Sequence, residues 1–374
     1  MKQSIVIPFH KDKNMLLYSL KTLHETLPHD QDIEIIVVGN NRNSYELDFE
    51  LPWIDVKYYK IYDNLFYPNA VNLGVLKASG EIITLCDPDI FYLPGWYMPL
   101  LNAFLEKKAG AVGSKLINPC TGRILDFGIY FSKYNAVHSL LGVKAEHYLA
   151  KFNRQVQSVC SAVLMTSKKM YESVGGMDSD LPFAYPDFDF CLKLHTQGYP
   201  IWAIADSAVY HKGSTDPNNS KYYSFSYLKT DCKGLFYAKD YNLIEMDFGN
   251  WFKISYQYFR EMYPYYPSKY VLIDLTTVYN RDDYYNVINK DLSIEFLDKE
   301  VIDINKRNIK DIALHQTISF NLIDCDSPLL YFVDTFVSLF QNDLWFKMRN
   351  IYSDVVIDRH GNILPCTEIA QGNC

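Results

Sequence analysis

In the N-terminal third of the chain, short unbroken apolar runs alternate with longer segments of helical periodicity, and this alternation constrains the fold more than any other feature. The run SIVIPF (4–9) is followed by a helical pattern over 13–27, where Leu16, Leu17, Leu20 and Leu23 recur at helical spacing, and then by IEIIVVG (33–39). Strands that are apolar on both faces belong to parallel sheets covered by helices on both sides. Strands at 56–62 and 81–86 and helices at 69–78 and 95–107 repeat the unit, predicting an α/β domain with a mostly parallel open sheet and helices on both faces. In such sheets ligands bind beyond the carboxyl ends of the strands, where loops and helix N-termini converge.

At that edge stands TLCDPDI (84–90). Asp87 and Asp89 are two residues apart, so on an extended chain they share a face, roughly 6.6 Å from one another. Pro88 fixes its own φ and pushes Asp87 into the extended region, which preorganises the pair. One carboxylate is then able to hold a divalent metal while the other reaches a second group; ordinary turn chemistry is the alternative. A second informative segment spans 175–214. Pro186 suits the first turn of a helix, Phe188, Cys191 and Leu192 form its apolar stripe, and Gly198 with Pro200 ends it. Asp187 and Asp189 on its first turn diverge by about 200° and so serve different surroundings, with simple complementation of the helix dipole as the alternative. After the helix, IWAIA and SAVYH read as short strand pieces, with His211 just past a strand end.

At 374 residues the chain predicts two domains, and a net charge of −8 argues against a nucleic-acid or polybasic membrane partner. An anionic substrate therefore needs a metal or a local cation. The first strand begins close to Met1 with no signal-peptide pattern or membrane-length apolar run, which predicts a cytoplasmic location. The eight cysteines lack paired spacing and read as free thiols. The turn LGVLKASG has neither dinucleotide-binding glycine spacing nor a phosphate-loop lysine. Domain boundaries are expected at 1–220, at 221–270 for an aromatic helical linker, and at 271–374 for a smaller α/β region. The linker reads as packing, with a sugar-stacking or membrane-surface platform as the alternative. In the C-terminal region KYVLIDL, LSIEFL and QTISFNLI read as strands, and SPLLYFVDTFVSLFQ (327–341) as an apolar helix.

Four motifs in order, SIVIPFH, NLFYPNAVNLGVLKASGEIITLCDPD, GSKLINPCTGRILDFG and GGMDSDLPFAYPDFDFCLKLHTQGYPI with the later VYH, resemble the inverting family 2 glycosyltransferases over roughly residues 3–214. The resemblance implies a GT-A (Rossmann-like) fold and transfer of a sugar from a nucleoside-diphosphate sugar to a glycan, lipid-linked or protein hydroxyl, dependent on Mn²⁺ or Mg²⁺. It implies that Asp87 contacts the nucleotide sugar together with Pro8, Phe9, His10, Asn40, Asn64 and Asn72. It further implies that Asp89 and His211 bind the metal and that Asp187 is the catalytic base. The implied partners are the nucleotide sugar and a glycan or glycolipid acceptor, with self-association and a peripheral seat at a membrane left open. Two departures stand out. The family's Glu-Asp pair is here Pro186-Asp187, and the Asp that often recognises the base is replaced within Val38-Gly39-Asn40-Asn41. A sugar-nucleotide nucleotidyltransferase is disfavoured because IPFHKDKN is not a glycine- and arginine-rich loop. A non-catalytic glycan-binding relative is disfavoured by the full set Asp87, Asp89, Asp187 and His211.

Overall fold

The structure, a computed structural model, describes residues 1–10, 12–40, 51, 53–61, 66–131, 136–182, 184–213, 226–239, 241, 255, 257–266, 269–274, 301–303, 328–333, 336, 353–358 and 362–369. It forms two compact units, one of Met1–His138, Lys144–Glu146 and Ala150–Ile244, the other of Ser139–Val143, His147–Leu149 and Glu245–Cys374.

The first unit opens as β1 (Gln3–Phe9), α1 (Lys13–Thr26), β2 (Ile33–Asn40), β3 (Val56–Ile61), α2 (Phe66–Lys77), β4 (Ile82–Cys86), β5 (Ile90–Tyr92) and α3 (Tyr97–Glu106). It continues with β6 (Ala111–Ile117), β7 (Ile124–Asp126), β8 (Ile129–Phe131), β9 (Ala136–His138), β10 (Arg154–Val156), β11 (Val163–Ser167), α4 (Lys168–Ser173), α5 (Pro186–Thr196), β12 (Ile201–His211) and α6 (Ser226–Ala238). Leu16, Leu20 and Leu23 of α1 are fully buried, as their spacing predicts, each stabilising the fold by about 2 kcal/mol. On α2, Gly74 lies so close to β1 that an added Cβ would stand 2.3 Å from Val6 Cγ1, so only glycine lets this helix settle on the sheet.

The main sheet has the order β10-β12-β6-β11-β4-β1-β2-β3, with β5 beside β12 and β7 beside β6. Its β3-β2-β1-β4 half is wholly parallel, the chain running outward from β1 to β2 and β3 on one side and to β4 on the other. That reversal is a topological switch point, opening a crevice at the carboxyl ends of β1 and β4. Beyond β4, antiparallel β11 separates β4 from β6, and β12 lies parallel to β6. The two strand pieces expected before His211 are one strand with a bulge: Ile204 pairs with Ser114 and Ala208 with Lys115, leaving Ala205, Asp206 and Ser207 without partners in that register.

The second unit holds a sheet ordered β14-β13-β15-β16-β17, from β13 (Lys269–Asp274), β14 (Val301–Asp303), β15 (Leu329–Val333), β16 (Val355–Asp358) and β17 (Ile363–Pro365). β13, β15 and β16 are parallel, and the two edge strands are antiparallel. The helix expected at 327–341 is corrected here, because Leu329–Val333 is a central strand with Leu329, Leu330, Tyr331 and Val333 buried. A strand covered on both faces has no period of two to betray it, so a continuous apolar run is compatible with either element. The strands expected at 292–297 and 316–323 lie outside the described residues.

Candidate active site

Several chain segments meet at the carboxyl edge of the main sheet. β4 ends at Cys86, and the next residue, Asp87, donates its N–H to Ala162 O at 3.0 Å. Because β11 runs antiparallel to β4, with Val163 opposite Cys86, the residues just before Val163 enter at this same edge. β12 ends here too. Short β5 joins the Asp-Pro-Asp turn to it, through the pairing of Ile90 with His211 and the bond from Lys212 N to Asp89 O at 3.2 Å. His211 Nε2 then lies 3.4 Å from Asp89 Oδ1. Asp87, Asp89 and His211 each offer a ligand atom, all within 4.8 Å of one another.

The electrostatics of the trio favour a cation. Burial pushes the Asp87 carboxyl up to about 7, reinforced by the charge of Asp89 and opposed by that of His211. For His211, burial works to lower the pKa, but the hydrogen bond and charge of Asp89, with the charge of Asp87, outweigh it and hold the imidazole above its ordinary value. Two carboxylate oxygens and one imidazole nitrogen make a donor set that suits a divalent cation of intermediate softness.

Asp187 arrives from the first turn of α5. Its helix is entered through Tyr185 at φ 70°, a left-handed conformation that costs an L-residue on the order of 1 kcal/mol, held by stacking of the Tyr185 ring on Phe236 at 5.0 Å. Asp187 is buried, and its Oδ2 accepts from Ser161 N at 3.0 Å and Ser161 Oγ at 3.3 Å, while Oδ1 accepts from Phe188 N at 3.0 Å. Burial raises its pKa, and these hydrogen bonds partly offset the rise. Asp189 points elsewhere, as its helical position requires. It is fully buried and does more than complement a dipole: it pairs with Lys193 at 2.7 Å and Lys239 at 2.6 Å and accepts from the Tyr241 hydroxyl, and Lys239 also pairs with Asp178.

The remaining residues singled out by the motifs are placed as follows. Pro8 and Phe9 end β1, and His10 follows with Nδ1 3.0 Å from Asn40 O. The Asn40 amide donates to Phe66 O at 3.0 Å, steadying a residue at φ 59° where α2 begins. Asn72 is bonded to both main-chain groups of Met177, giving its N–H to the carbonyl at 2.8 Å and accepting from the amide at 3.1 Å, and also accepts from the Tyr171 hydroxyl. Asn64 lies outside the described residues. Two contributors carry no spacing signal and were missed by sequence reasoning. Ser161 fixes Asp187 from a distant loop. Tyr67, on the first turn of α2, brings its buried hydroxyl up to Asp87 and Ser161, short of well-formed hydrogen-bond geometry.

The open α/β sheet thus carries an Asp, Asp and His group at the carboxyl edge of its switch-point crevice. Residues 4–130 match the family described as Glycosyl transferase family 2, so this part of the chain is similar to that family. Among curated proteins, the chain is 29% identical over 226 residues to the O-antigen biosynthesis protein RfbC of Myxococcus xanthus, a match covering 57% of this chain and 17% of that protein. It is 27% identical over 228 residues to the uncharacterized protein y4gI of Sinorhizobium fredii, covering 57% of this chain and 24% of the relative. The matches thus take in less than a quarter of either relative's length. Among solved structures, GalNAc-T7 with UDP, GalNAc and Mn²⁺ matches at 16% identity and TM-score 0.49 over 72% of this chain and 60% of that one. The mannosyltransferase PcManGT of Pyrobaculum calidifontis with GDP-Man and Mn²⁺ matches at 14% identity and TM-score 0.42 over 57% and 58%.

Proposed function

We propose that the protein is a metal-dependent inverting glycosyltransferase, moving a sugar from a nucleoside-diphosphate donor to a hydroxyl of a glycan or glycolipid during polysaccharide assembly. The observation that carries this reading is the convergence of Asp87, Asp89 and His211 at one sheet edge to which the Ser161 segment also brings Asp187. Asp89 and His211 are the residues to hold a divalent cation, and their mixed oxygen and nitrogen donors suit Mn²⁺ better than Mg²⁺. When bound, such a cation supplies Lewis-acid stabilisation of the charge developing on the departing diphosphate. Asp87 positions the sugar or ribose of the donor, with Pro8, Phe9, His10, Asn40, Asn64 and Asn72 along the nucleotide crevice. Asp187 takes the proton of the acceptor hydroxyl as its oxygen attacks the anomeric carbon from the face opposite the diphosphate. One carbon–oxygen bond forms as the other breaks, and the configuration inverts. Burial makes the carboxylate a stronger base, and the Ser161 hydrogen bonds partly offset that rise.

The second unit is assigned to acceptor choice or self-association. No described helix is long and apolar enough to cross a membrane, and a cytoplasmic place at the membrane surface is part of the proposal. The name of the Myxococcus relative supports a cell-surface polysaccharide as product. Screening nucleotide sugars for binding and slow hydrolysis, with Mn²⁺ and with chelator, tests the reading without an acceptor. Equal donor affinity in both conditions would overturn the metal assignment, and no binding of any nucleotide sugar would overturn the function.

A further inference from the structure

The transfer reading leaves the hydroxyl of Tyr67 without a part. That oxygen is buried and lies close to both the Ser161 hydroxyl and the Asp87 carboxylate, yet it makes a well-formed hydrogen bond with neither. The charge of Asp187 reaches it as well. A buried O–H left in this state costs stability, and the cost is recovered when a change in the site completes its bond.

The backbone holds the hydroxyl at this place. Tyr67 follows Phe66, whose φ of 59° is a strained conformation for a residue with a side chain. The Asn40 amide, at the end of β2, fixes that residue by donating to the Phe66 carbonyl at 3.0 Å. The first turn of α2 is thereby tied to the carboxyl edge of the sheet. Further along the helix, Gly74 allows contact with Val6 of β1 and Asn72 is bonded to Met177, so α2 has little room to shift. What remains adjustable is rotation of the Tyr67 O–H bond, which selects its acceptor.

Two acceptors compete for that hydrogen. Ser161 Oγ gives its own hydrogen to Asp187 Oδ2 at 3.3 Å, which leaves its lone pairs to accept. Asp87 offers a carboxyl group, the stronger acceptor when ionised. Burial, and then the charge of Asp87, hold the Tyr67 phenol well above its ordinary pKa, so it serves as a neutral donor. One hydrogen satisfies one acceptor at a time. A hydroxyl of the donor substrate that engages Asp87 releases the phenol hydrogen to Ser161, and the Ser161 bond to Asp187 is strengthened in turn, because linked hydrogen bonds polarise one another.

We infer that Tyr67 is a positioning residue of the transfer site, its O–H turning between Asp87 and Ser161 so that occupation of the donor side steadies Asp187 on the acceptor side. The inference rests on the glycosyl-transfer reading above and adds to it a physical link between the two halves of the site.

The test uses the full chain with Mn²⁺ and UDP-glucose, UDP-N-acetylglucosamine, GDP-mannose and dTDP-rhamnose. The nucleotide sugar that binds is carried into calorimetry and into slow hydrolysis, in which water takes the acceptor's place. Tyr67→Phe keeps the ring and removes the hydroxyl alone. Its melting temperature is expected to stay within a few degrees of the wild type, while donor affinity and the hydrolysis rate at saturating donor each fall by about fivefold or more. A ring that serves only for packing predicts no loss in either. The loss of affinity should vanish when Tyr67→Phe is made in an Asp87→Asn protein, and the loss of rate when it is made in a Ser161→Ala protein, since each background lacks the partner through which Tyr67 acts. Unchanged affinity or unchanged rate in Tyr67→Phe, or a loss that persists in its background, would overturn the link. A wild type that fails to bind or to hydrolyse any of the four would instead bring down the glycosyl-transfer reading, and the link with it.

Discussion

Ser161 directs both its main-chain N–H and its hydroxyl at one oxygen of Asp187, from 3.0 and 3.3 Å. Ala162, the next residue, receives the N–H of Asp87. One short loop therefore sets the distance between the carboxylate proposed to hold the donor and the one proposed to take the acceptor's proton.

Replacement of Asp187 by Asn keeps shape and hydrogen-bonding capacity but cannot accept the proton. Turnover should fall by about 10² or more with donor affinity nearly unchanged. Because burial raises the Asp187 pKa, the wild-type rate should climb with pH through a value above the ordinary carboxylate range, the deprotonated form being the active one. Steady-state kinetics over pH with calorimetric donor binding checks both. A fully active Asp187→Asn protein would place the base elsewhere.

Removal of the cation should act through Asp89 and His211. Chelator, Asp89→Asn and His211→Ala are each expected to weaken nucleotide-sugar binding by at least about tenfold while leaving the melting temperature of the metal-free protein within a few degrees. Calorimetry beside thermal unfolding makes the comparison. Donor binding that ignores both substitutions would remove these residues from the site.

Asp189 looks like a natural control for Asp187, but its surroundings make it a stability residue. Its neutralisation leaves Lys193 and Lys239 facing each other without their shared carboxylate. Asp189→Asn should lower stability by on the order of 3 kcal/mol, read from chemical denaturation, with the rate per folded molecule much less affected. A variant as stable as the wild type would contradict the buried pairing.

Glu34 predicts an acid limb to stability. Burial alone would raise its pKa, but the hydrogen bonds from Lys57, Ser4 and Ser79 prevail and bring it down to about 2. The folded value lies below the unfolded one, so the contribution is complete above the ordinary carboxylate pKa and is lost as pH falls toward about 2. The melting-temperature gap between wild type and Glu34→Gln should be widest near neutrality and close across that window. A gap independent of pH would sink the assignment.

Gly176 has φ 68°, and a Cβ there would stand 2.6 Å from Asn72 Oδ1 and 2.8 Å from the Tyr171 ring. Gly176→Ala should cost about 1 to 3 kcal/mol and disturb the Asn72 hydrogen bonds that tie α2 to Met177. Denaturation curves measure it; a neutral substitution would mean this turn relaxes freely.

The parallel half of the main sheet was legible because its strands are unbroken apolar runs between helices with a clear period, as in Leu16, Leu20 and Leu23. Asp87, Asp89 and His211 were legible as residue types at strand ends, although their meeting depends on β5, a strand of three residues too short to carry a pattern of its own. Ser161 was not, since a serine in a loop has no periodicity and its bond to Asp187 spans 26 positions. Leu329–Val333 misled for the opposite reason: apolar on all sides, it offers no phase by which to separate strand from helix.

The bulge in β12 gives the two ends of that strand separate anchorage. Ile201 to Ile204 are tied to the core of β6, while Ala208 to Tyr210, and with them His211, take their register from the last residues of β6, after the three residues that pair with nothing there. Without such slack, a single insertion or deletion anywhere along β12 would turn the imidazole to the opposite face of the sheet. With it, changes of length at Ala205 to Ser207 can be absorbed locally. The ligand end of the strand is thereby free to drift in sequence length without re-registering the core.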